Sequence, residues 1–486
     1  MNTSANIQLL SAVICYIIFT LLLGFWVARN VKNQRDYYIG SRKLPSFALA
    51  LSERSSDMSA WIIIGIPGLA WEFGLSTIWV LLGTAGGAVF QWIFYGKKFY
   101  KETEKTDAIT PNDYLAKKFP ESANAIRVLG GISIFVFFVA YVGAQFEGGG
   151  KIVAHLFNLN TTISAIIIAT IIISYSVAGG FITSVWTDFF QALLMVFTLI
   201  ILPIIILFNV LGDPSISIVN SLANDKAGRS SLFGGKVGID ALILLGVNLS
   251  WFFGYMGGIP HVFVRMMAVR NAKEIKSCTI IAAIWGFLTS AGALLLGLLA
   301  FAIYGNLELF VNDREMVFPY IIQQFTPPFL TGILLAGVLA AVMSTASSQI
   351  IMASSAISED ILQRILFKKR DFKEKIRLNI SRLSTLFIGF LGILLIFYAK
   401  EYVYTIVSWG WAGLTSIYAP IITLLFFWKR LSKVGVYSAF IVGFCVTILW
   451  VSLGFDKEII TVRLISFPIS FISAVIFSLI FPDRKK

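Results

Sequence analysis

Cysteine and histidine are nearly missing from this chain: Cys15, Cys278 and Cys445, with His155 and His261, are all that 486 residues contain. The cysteines sit in or at the ends of apolar stretches and show no paired spacing. That excludes a disulfide-stapled ectodomain and a thiolate metal site, and leaves them as packing residues. The histidines have no zinc spacing, and neither a Walker A nor a GxGxxG pattern occurs, so neither a metalloenzyme nor an ATP-driven pump is signalled. Charge is scarce too, at 13% of residues against 57% hydrophobic. A soluble domain does not tolerate that balance; a polytopic membrane protein requires it.

A spanning helix needs about 20 apolar residues, and on that measure about thirteen segments qualify. They run roughly 7–28, 44–73, 76–96, 128–150, 161–180, 187–210, 237–258, 279–304, 329–357, 380–399, 402–427, 434–454 and 459–481. The first is long enough to span and has neither a charged leader nor a small-residue cleavage site, so it is expected to stay as a helix. The formal charge of +13 would suit nucleic acid or acidic lipid, but it follows the loops instead. One side collects the basic clusters within 29–43, 97–127, 265–276, 364–382, 429–433 and 484–486. The other has only Lys151, Lys226, Arg229, Lys236, Arg314, Lys400, Lys457 and Arg463. The positive-inside rule then places the amino terminus outside and the carboxyl terminus in the cytoplasm. Arg42, at the foot of the second segment, reads as one of these topogenic charges, with a gating contact as the alternative.

Arg54 fits neither side. It lies in the stretch 51–61, LSERSSDMSAW, which drops three ionisable residues and four serines into a membrane-length segment. A charge at the bilayer centre costs roughly 2.5–3.5 kcal/mol on insertion scales, so such residues face a cavity and mark an ion or substrate path. Backbone leaves helical form at that depth only where it lines a cavity. The segment therefore reads as a broken helix with a site at its break, against the alternative of an ordinary helix with a polar stripe. Arg54 needs a partner; Glu53 is adjacent, and i,i+1 side chains do not face each other on a helix, so that pairing is poor unless the break bends there. Asp57, Asp188 or a substrate carboxylate remain.

The seventh segment is the second irregular one. Asn248, Trp251, Gly254, Tyr255, Gly257, Gly258 and Pro260 crowd its cytoplasmic half and predict another break. Paired interrupted helices at matching positions of two halves are the best sequence pointer to a transporter site. The two lie five segments apart, as an inverted five-plus-five repeat requires. In the fourth segment Tyr141, Gln145 and Gly148 share a face, either turned to substrate or serving interior packing. Glu147 reads as interfacial. Asp188 suits an N-cap or a relay carboxylate equally well. In the ninth segment Ser344, Ser347 and Ser348 form one hydroxyl face flanked by Thr345. Such oxygens, with carbonyls of an unwound helix, are hard ligands suited to Na⁺; a small-residue packing face is the alternative.

Five motifs carry a resemblance. They are Ser56-Asp57-Met58-Ser59-Ala60-Trp61, Gly179-Gly180-Phe181 with Trp186-Thr187-Asp188, Pro260-His261 with Arg265, Ala341-Val342-Met343-Ser344-Thr345, and Trp411-Ala412-Gly413. In one collinear order over essentially the whole length, the chain resembles the sodium/solute symporter family, and within it the bacterial sodium/proline branch. The resemblance implies an all-α, leucine-transporter-like core over 44–427, one extra helix at 7–28 and two more at 434–481. It implies a main sodium site on the carbonyls of Ser55, Met58 and Ala341 and the hydroxyls of Ser344 and Thr345, with Asp57 as the coupling carboxylate. A second sodium position, as in sialic-acid-transporting relatives, would use Asp188, Ser344, Ser347 and Ser348. The substrate pocket would draw on Ser59, Ala60, Tyr141, Trp251, Tyr255 and Pro260, with Arg54 as a possible carboxylate clamp.

Three departures stand out. The branch usually has glycine at Ala60 and small residues at Glu53-Arg54. The stretch from Tyr255 to Pro260 is one residue longer and is closer to pantothenate-transporting relatives. The function implied is sodium-driven import of a small carboxylate-bearing solute, L-proline first, across a bacterial inner membrane, with no nucleic acid partner. Pantothenate, another amino acid or an organic acid is the alternative; a sensor that kept the fold is more remote. No cluster for membrane-embedded catalysis is found.

Overall fold

Lipid cannot satisfy exposed N–H and C=O groups, so a chain this apolar closes its hydrogen bonds within helices. In a computed structural model, residues 3–214, 216–225, 227–370, 372–397 and 402–483 are described, and among them every regular element is a helix. Lys226, Lys400, Arg484, Lys485 and Lys486 of the charge count lie outside the described residues.

Eleven helical runs among the described residues are long and apolar enough to cross a membrane. The difference from thirteen lies in how the runs divide. α1 is Thr3–Ala28 and α2 the short Gln34–Ile39. The second expected span is split into α3, Ser46–Asp57, and α4, Ile66–Phe73, joined through Met58, Ser59 and a π-helical turn at Trp61–Gly65. α4 then runs on through a 3₁₀ turn at Gly74–Thr77 into the next helix, so 61–106 counts as one run. α5 is Ala123–Phe157, and α6, Thr161–Leu211, contains 51 residues. At 1.5 Å per residue α6 would be about 77 Å long, more than twice a bilayer core. It bends at Gly180, whose φ of 54° and ψ of −140° are non-helical.

That turn is built for glycine. A Cβ on Gly180 would stand 2.4 Å from the Tyr37 carbonyl oxygen. Tyr37, in α2, donates from its hydroxyl to Ser176 O at 3.1 Å, so this short helix is pinned against the bend.

α7, Gly238–Leu249, runs through a 3₁₀ turn at Ser250–Tyr255 to α8, Pro260–Met267. Gly257 at φ 83° turns the chain, and Pro260 opens α8 where its missing N–H is no loss. The second break is thus observed, and the segment extends past the expected 258. α9 is Pro328–Ser355, prolonged by a π-helical stretch to Leu366, beyond the expected 357. α10 is Val403–Phe427 and α11 is Val462–Ile480.

Burial separates centre from rim. In the most apolar window of the α9 run 83% of residues are buried inside the protein, against 28% in α1, so α9 is the axis and α1 faces lipid. Ile7, Leu22, Phe208, Phe390 and Ile472 are exposed and supply that apolar rim. Cys15 and Cys445 are on it, which corrects their assignment as packing residues; only Cys278 is buried.

Candidate functional site

α3 stops where its carbonyls find better partners outside the helix. Met58 has φ −86° and ψ 67°, which takes its carbonyl out of the ladder. One turn back, Ser344 Oγ of α9 donates to Ser55 O at 2.9 Å and Thr345 Oγ1 donates to Ser56 O at 2.9 Å. Ser344 Oγ also lies 3.1 Å from Ala341 O, and the His261 ring reaches Ser56 O at 3.3 Å. Ser55, Ala341 and Ser344 therefore converge directly. Thr345 joins through Ser56, and Met58 sits at the break beside them. Every donor atom in this group is a neutral oxygen, the set that suits a hard monovalent cation.

Beside it lies a buried charge cluster. Asp57 Oδ2 accepts from Tyr255 Oη at 2.6 Å and from Arg54 Nη2 at 3.0 Å. Arg54 Nε donates to Glu53 Oε2 at 2.6 Å, its Nη2 meets Glu53 Oε1, and Trp92 Nε1 donates to Glu53 Oε2 at 3.2 Å. Glu53, Arg54 and Asp57 are 0% exposed. The sequence reading disfavoured Glu53 as a partner because of its adjacency, and the structure overturns that. Two long side chains can curl back on each other, and with no water to compete the unpaired alternative costs far more than the awkward geometry.

Asp188 is not an N-cap. The helix restarts at Phe181, not at the expected 187, so Asp188 lies well inside it. Its Oδ2 accepts from Ser52 Oγ at 2.7 Å, Ser184 Oγ at 3.1 Å and Arg265 Nη2 at 2.9 Å. Arg265 also donates to Ser52 Oγ at 2.8 Å and to Ser348 Oγ. Counting Arg265 among the cytoplasmic loop cations was wrong: it is 1% exposed and paired inside the protein. Asp188, Ser347 and Ser348 do come together, with Ser184 within 3.3 Å of Ser347 and 3.0 Å of Ser348. A guanidinium shares that group with them.

On the other side of the break Gln145 Oε1 accepts from Ala60 N at 3.3 Å, and a Cβ on Gly148 would lie 3.6 Å from the Ala60 methyl. The Tyr141 face of α5 therefore borders the break. Ser59 Oγ, Tyr141 Oη, Gln145 Nε2 and both amide atoms of Gln349 are buried without a hydrogen-bond partner. Such leftover buried polar atoms are where an ordered water, an ion or a polar ligand finds partners. Trp61 stacks on Trp251, ring centroids 5.2 Å apart at 10°, and Trp411 lies 5.5 Å from Trp251 and 5.3 Å from Tyr255. Pro260 is placed by its role in opening α8. Arg42 is remote from this centre, at the foot of α3 with φ 56°. Gln349, Trp61 and Ser184 were not among the expected site residues. Gln349 had a signal, lying one residue past the serine face of α9.

The Sodium:solute symporter family model matches residues 37–443. The osmoregulated proline transporter OpuE of Bacillus subtilis is 30% identical over 478 residues, 98% of this chain and 95% of that protein. The high-affinity proline transporter PutP of the same organism is 31% identical over 435 residues, 89% and 90% of the two chains. Among solved structures, a substrate-bound, outward-open Na⁺-coupled sialic acid symporter superposes with a TM-score of 0.80 at 18% identity, covering 98% of this chain and 99% of that one. MhsT in complex with L-phenylalanine gives 0.57 at 15% identity, covering 89% and 97%.

Proposed function

As the chain belongs to the sodium:solute symporter family, we propose that it imports a small carboxylate-bearing solute, L-proline, with sodium, by alternating access. The observation that carries this is the hydroxyl pair of Ser344 and Thr345 on the carbonyls of Ser55 and Ser56, at the break in α3.

Sodium entering there takes the carbonyls of Ser55, Met58 and Ala341 and the hydroxyls of Ser344 and Thr345 as ligands. Those hydroxyls turn from donating to carbonyls to offering lone pairs to the ion. α3 and α9 are thereby clamped at one depth, and the Ser59-Ala60 backbone is fixed beside Tyr141 and Gln145. The solute then satisfies the Ser59, Tyr141 and Gln349 groups, with Trp251, Tyr255 and Pro260 closing the pocket. Amino-terminal half-helix ends favour its carboxylate, as carboxyl-terminal ends favour sodium. The Asp57 carboxylate, held by Tyr255 and Arg54, balances the ion. Arg54 is itself held by Glu53 and Asp57, so we assign it to structure and not to a carboxylate clamp. Loss of sodium to the cytoplasm releases both cargoes.

Asp188, Ser347 and Ser348 form the second candidate sodium position, open when Arg265 withdraws. We place the amino terminus outside and the whole chain in a bacterial inner membrane, on the loop charges. Pantothenate is the second reading, favoured by the longer turn between Tyr255 and Pro260.

Purified protein in proteoliposomes, given radiolabelled proline and pantothenate with and without an inward sodium gradient, tests this. Sodium-dependent proline uptake competed poorly by pantothenate supports the reading; uptake of neither, with folded protein, removes it.

A further inference from the structure

The segment that follows α9 is strongly basic: residues 364–377, RILFKKRDFKEKIR, hold seven lysines and arginines against Asp371 and Glu374. Asp371 lies outside the described residues. Between this segment and the start of α5 is a recess of about 550 Å³, within the range of about 300–1,000 Å³ that small-molecule sites occupy. Arg127, Gln363, Arg364, Lys368, Arg370 and Arg377 line it. Among the described residues its one acid is Glu121, which pairs with Lys433 at 2.9 Å.

Two of these side chains have polar atoms that the protein leaves unsatisfied. Gln363 is 8% exposed, and neither its Nε2 nor its Oε1 has a hydrogen-bond partner. Arg127 gives Nη2 to Asp113 Oδ1 at 2.9 Å, while its Nε is buried with none. Arg364 is held by Glu359 at 2.7 Å, and Lys368 and Arg370 are exposed. The first turn of α5 opens into the same recess through Ala123, Asn124 and Ala125, and the Ser122 side chain does not cap it. Free N–H groups at a helix start favour an anion, and guanidinium forks bind phosphate oxygens in pairs. Gln363 adds a second requirement. Its amide nitrogen donates to a phosphate oxygen, but its carbonyl oxygen needs a donor, which a phosphate diester lacks and a hydroxyl supplies.

We propose that this recess binds a phosphate ester with a hydroxyl-bearing headgroup, of the glycerol phosphate type, and that the ligand ties the start of α5 to the end of α9. Basic pockets between the ends of membrane helices are where anionic headgroups bind. Beyond the Pro120–Ser122 turn the surface continues into an apolar groove of about 920 Å³ walled by Phe119, Val434, Ile480 and Phe481, a lining suited to acyl chains. An anionic phospholipid and a soluble phosphate ester share this headgroup chemistry. The site is separate from the helix break and rests on no reading of the transported solute.

The test uses the purified full chain in detergent, stripped of co-purified lipid, with radiolabelled sn-glycerol 3-phosphate as the probe at constant ionic strength. The probe is expected to bind saturably and to raise the thermal midpoint, and sulfate, which has no such hydroxyl, to bind about tenfold more weakly. Lys368→Gln with Arg370→Gln should weaken the probe about tenfold. Lys273→Gln with Lys276→Gln, an exposed pair outside the recess, should not. Gln363→Leu should bring the probe level with sulfate while the midpoint without ligand holds, because that amide has no protein partner to lose. The Lys368 and Arg370 comparison stands even if Gln363→Leu does not fold. Nanodiscs of mixed phosphatidylcholine and phosphatidylglycerol separate the two sources. Preferential retention of phosphatidylglycerol on return to detergent, lost with Lys368→Gln and Arg370→Gln, makes the occupant the lipid; equal retention of both lipids, with probe binding intact, makes it a soluble phosphate ester. Either supports the site. No saturable binding to the stripped protein, or binding weakened equally by both pairs of substitutions, overturns it.

Discussion

Replacing Arg54 with lysine separates a structural ion cluster from a substrate clamp. Arg54 uses one edge of its guanidinium on both oxygens of Glu53 and extends Nη2 to Asp57 at 3.0 Å, all at 0% exposure. An ammonium keeps the charge but cannot hold two carboxylates in that arrangement. One buried carboxylate then loses its partner, at a cost of about 1–3 kcal/mol or more. Arg54→Met strands both, and breaking a buried pair costs about 3–5 kcal/mol. The order of folded protein recovered from membranes, and of thermal half-inactivation in detergent, should be wild type, then Arg54→Lys, then Arg54→Met. Glu53→Gln with Arg54→Gln removes one charge of each sign, and should recover part of the loss, because Asp57 keeps Tyr255 at 2.6 Å. A coupling of about 1–3 kcal/mol between the two positions is expected. Folded Arg54→Lys should show near-normal half-saturation for solute. An Arg54→Lys protein as stable as wild type, with half-saturation raised more than about tenfold, that is about 1.4 kcal/mol, would sink the structural assignment and restore the clamp.

Four further outcomes follow from the geometry. Ser344→Ala and Thr345→Ala should raise the sodium concentration for half-maximal uptake far more than they reduce protein in the membrane; unchanged sodium dependence in both would falsify the main site. If Arg265 withdraws and the second position fills, Ser348→Ala should move the sodium Hill coefficient toward one; a wild-type coefficient already at one, read from the same uptake curves, would mean that the second position is unused. Tyr141→Phe removes a buried hydroxyl that makes no close hydrogen bond within the protein, so thermal stability in detergent should hold while half-saturation for solute rises about tenfold. Gly180→Ala should lose about 1–3 kcal/mol to backbone strain before its Cβ meets the Tyr37 carbonyl at 2.4 Å, seen as poor recovery of monodisperse protein.

Both helix breaks were legible because their signal is one-dimensional: a continuous lipid-facing helix has no use for clustered polar residues, Gly and Pro inside its apolar run. The serine face of α9 was legible for the same reason, since helical spacing alone puts Ser344 and Ser348 on one side. Partners were not legible. Asp188 finds Arg265 through the fold, at 2.9 Å across 77 positions of chain. Arg265 and Arg463 were misplaced by a shared cause. Charge counting assigns a cation to the loop nearest in sequence, and where a helix is interrupted or starts at the protein's edge, that loop is not where the membrane ends. Arg265 lies within α8, beyond the break, and is drawn inward with it. Arg463 opens α11 but is covered by Trp251 and Tyr404. The i,i+1 argument against Glu53 failed differently, being a rule about solvated helix surfaces applied where there is no solvent.

The interior charges bear on stoichiometry. Around the break stand three carboxylates, Glu53, Asp57 and Asp188, and two guanidinium groups, Arg54 and Arg265, all buried. In their ionised forms they leave one negative charge uncompensated. On the proposed reading, one sodium ion on the neutral oxygens of Ser55, Met58, Ala341, Ser344 and Thr345 would restore neutrality at that depth, and a zwitterionic solute would add none. A second sodium beside Asp188 would overshoot by one charge while Arg265 remains there. By this count one sodium ion would accompany each solute unless Arg265 leaves Asp188 during the cycle. A measured charge-to-solute ratio of two would therefore require Arg265 to move. A crosslink holding Arg265→Cys to Ser348→Cys cannot report on that, because it removes the guanidinium itself. Distance measurements between spin labels on α8 and α6, with and without sodium, keep the pair intact and would register the withdrawal directly.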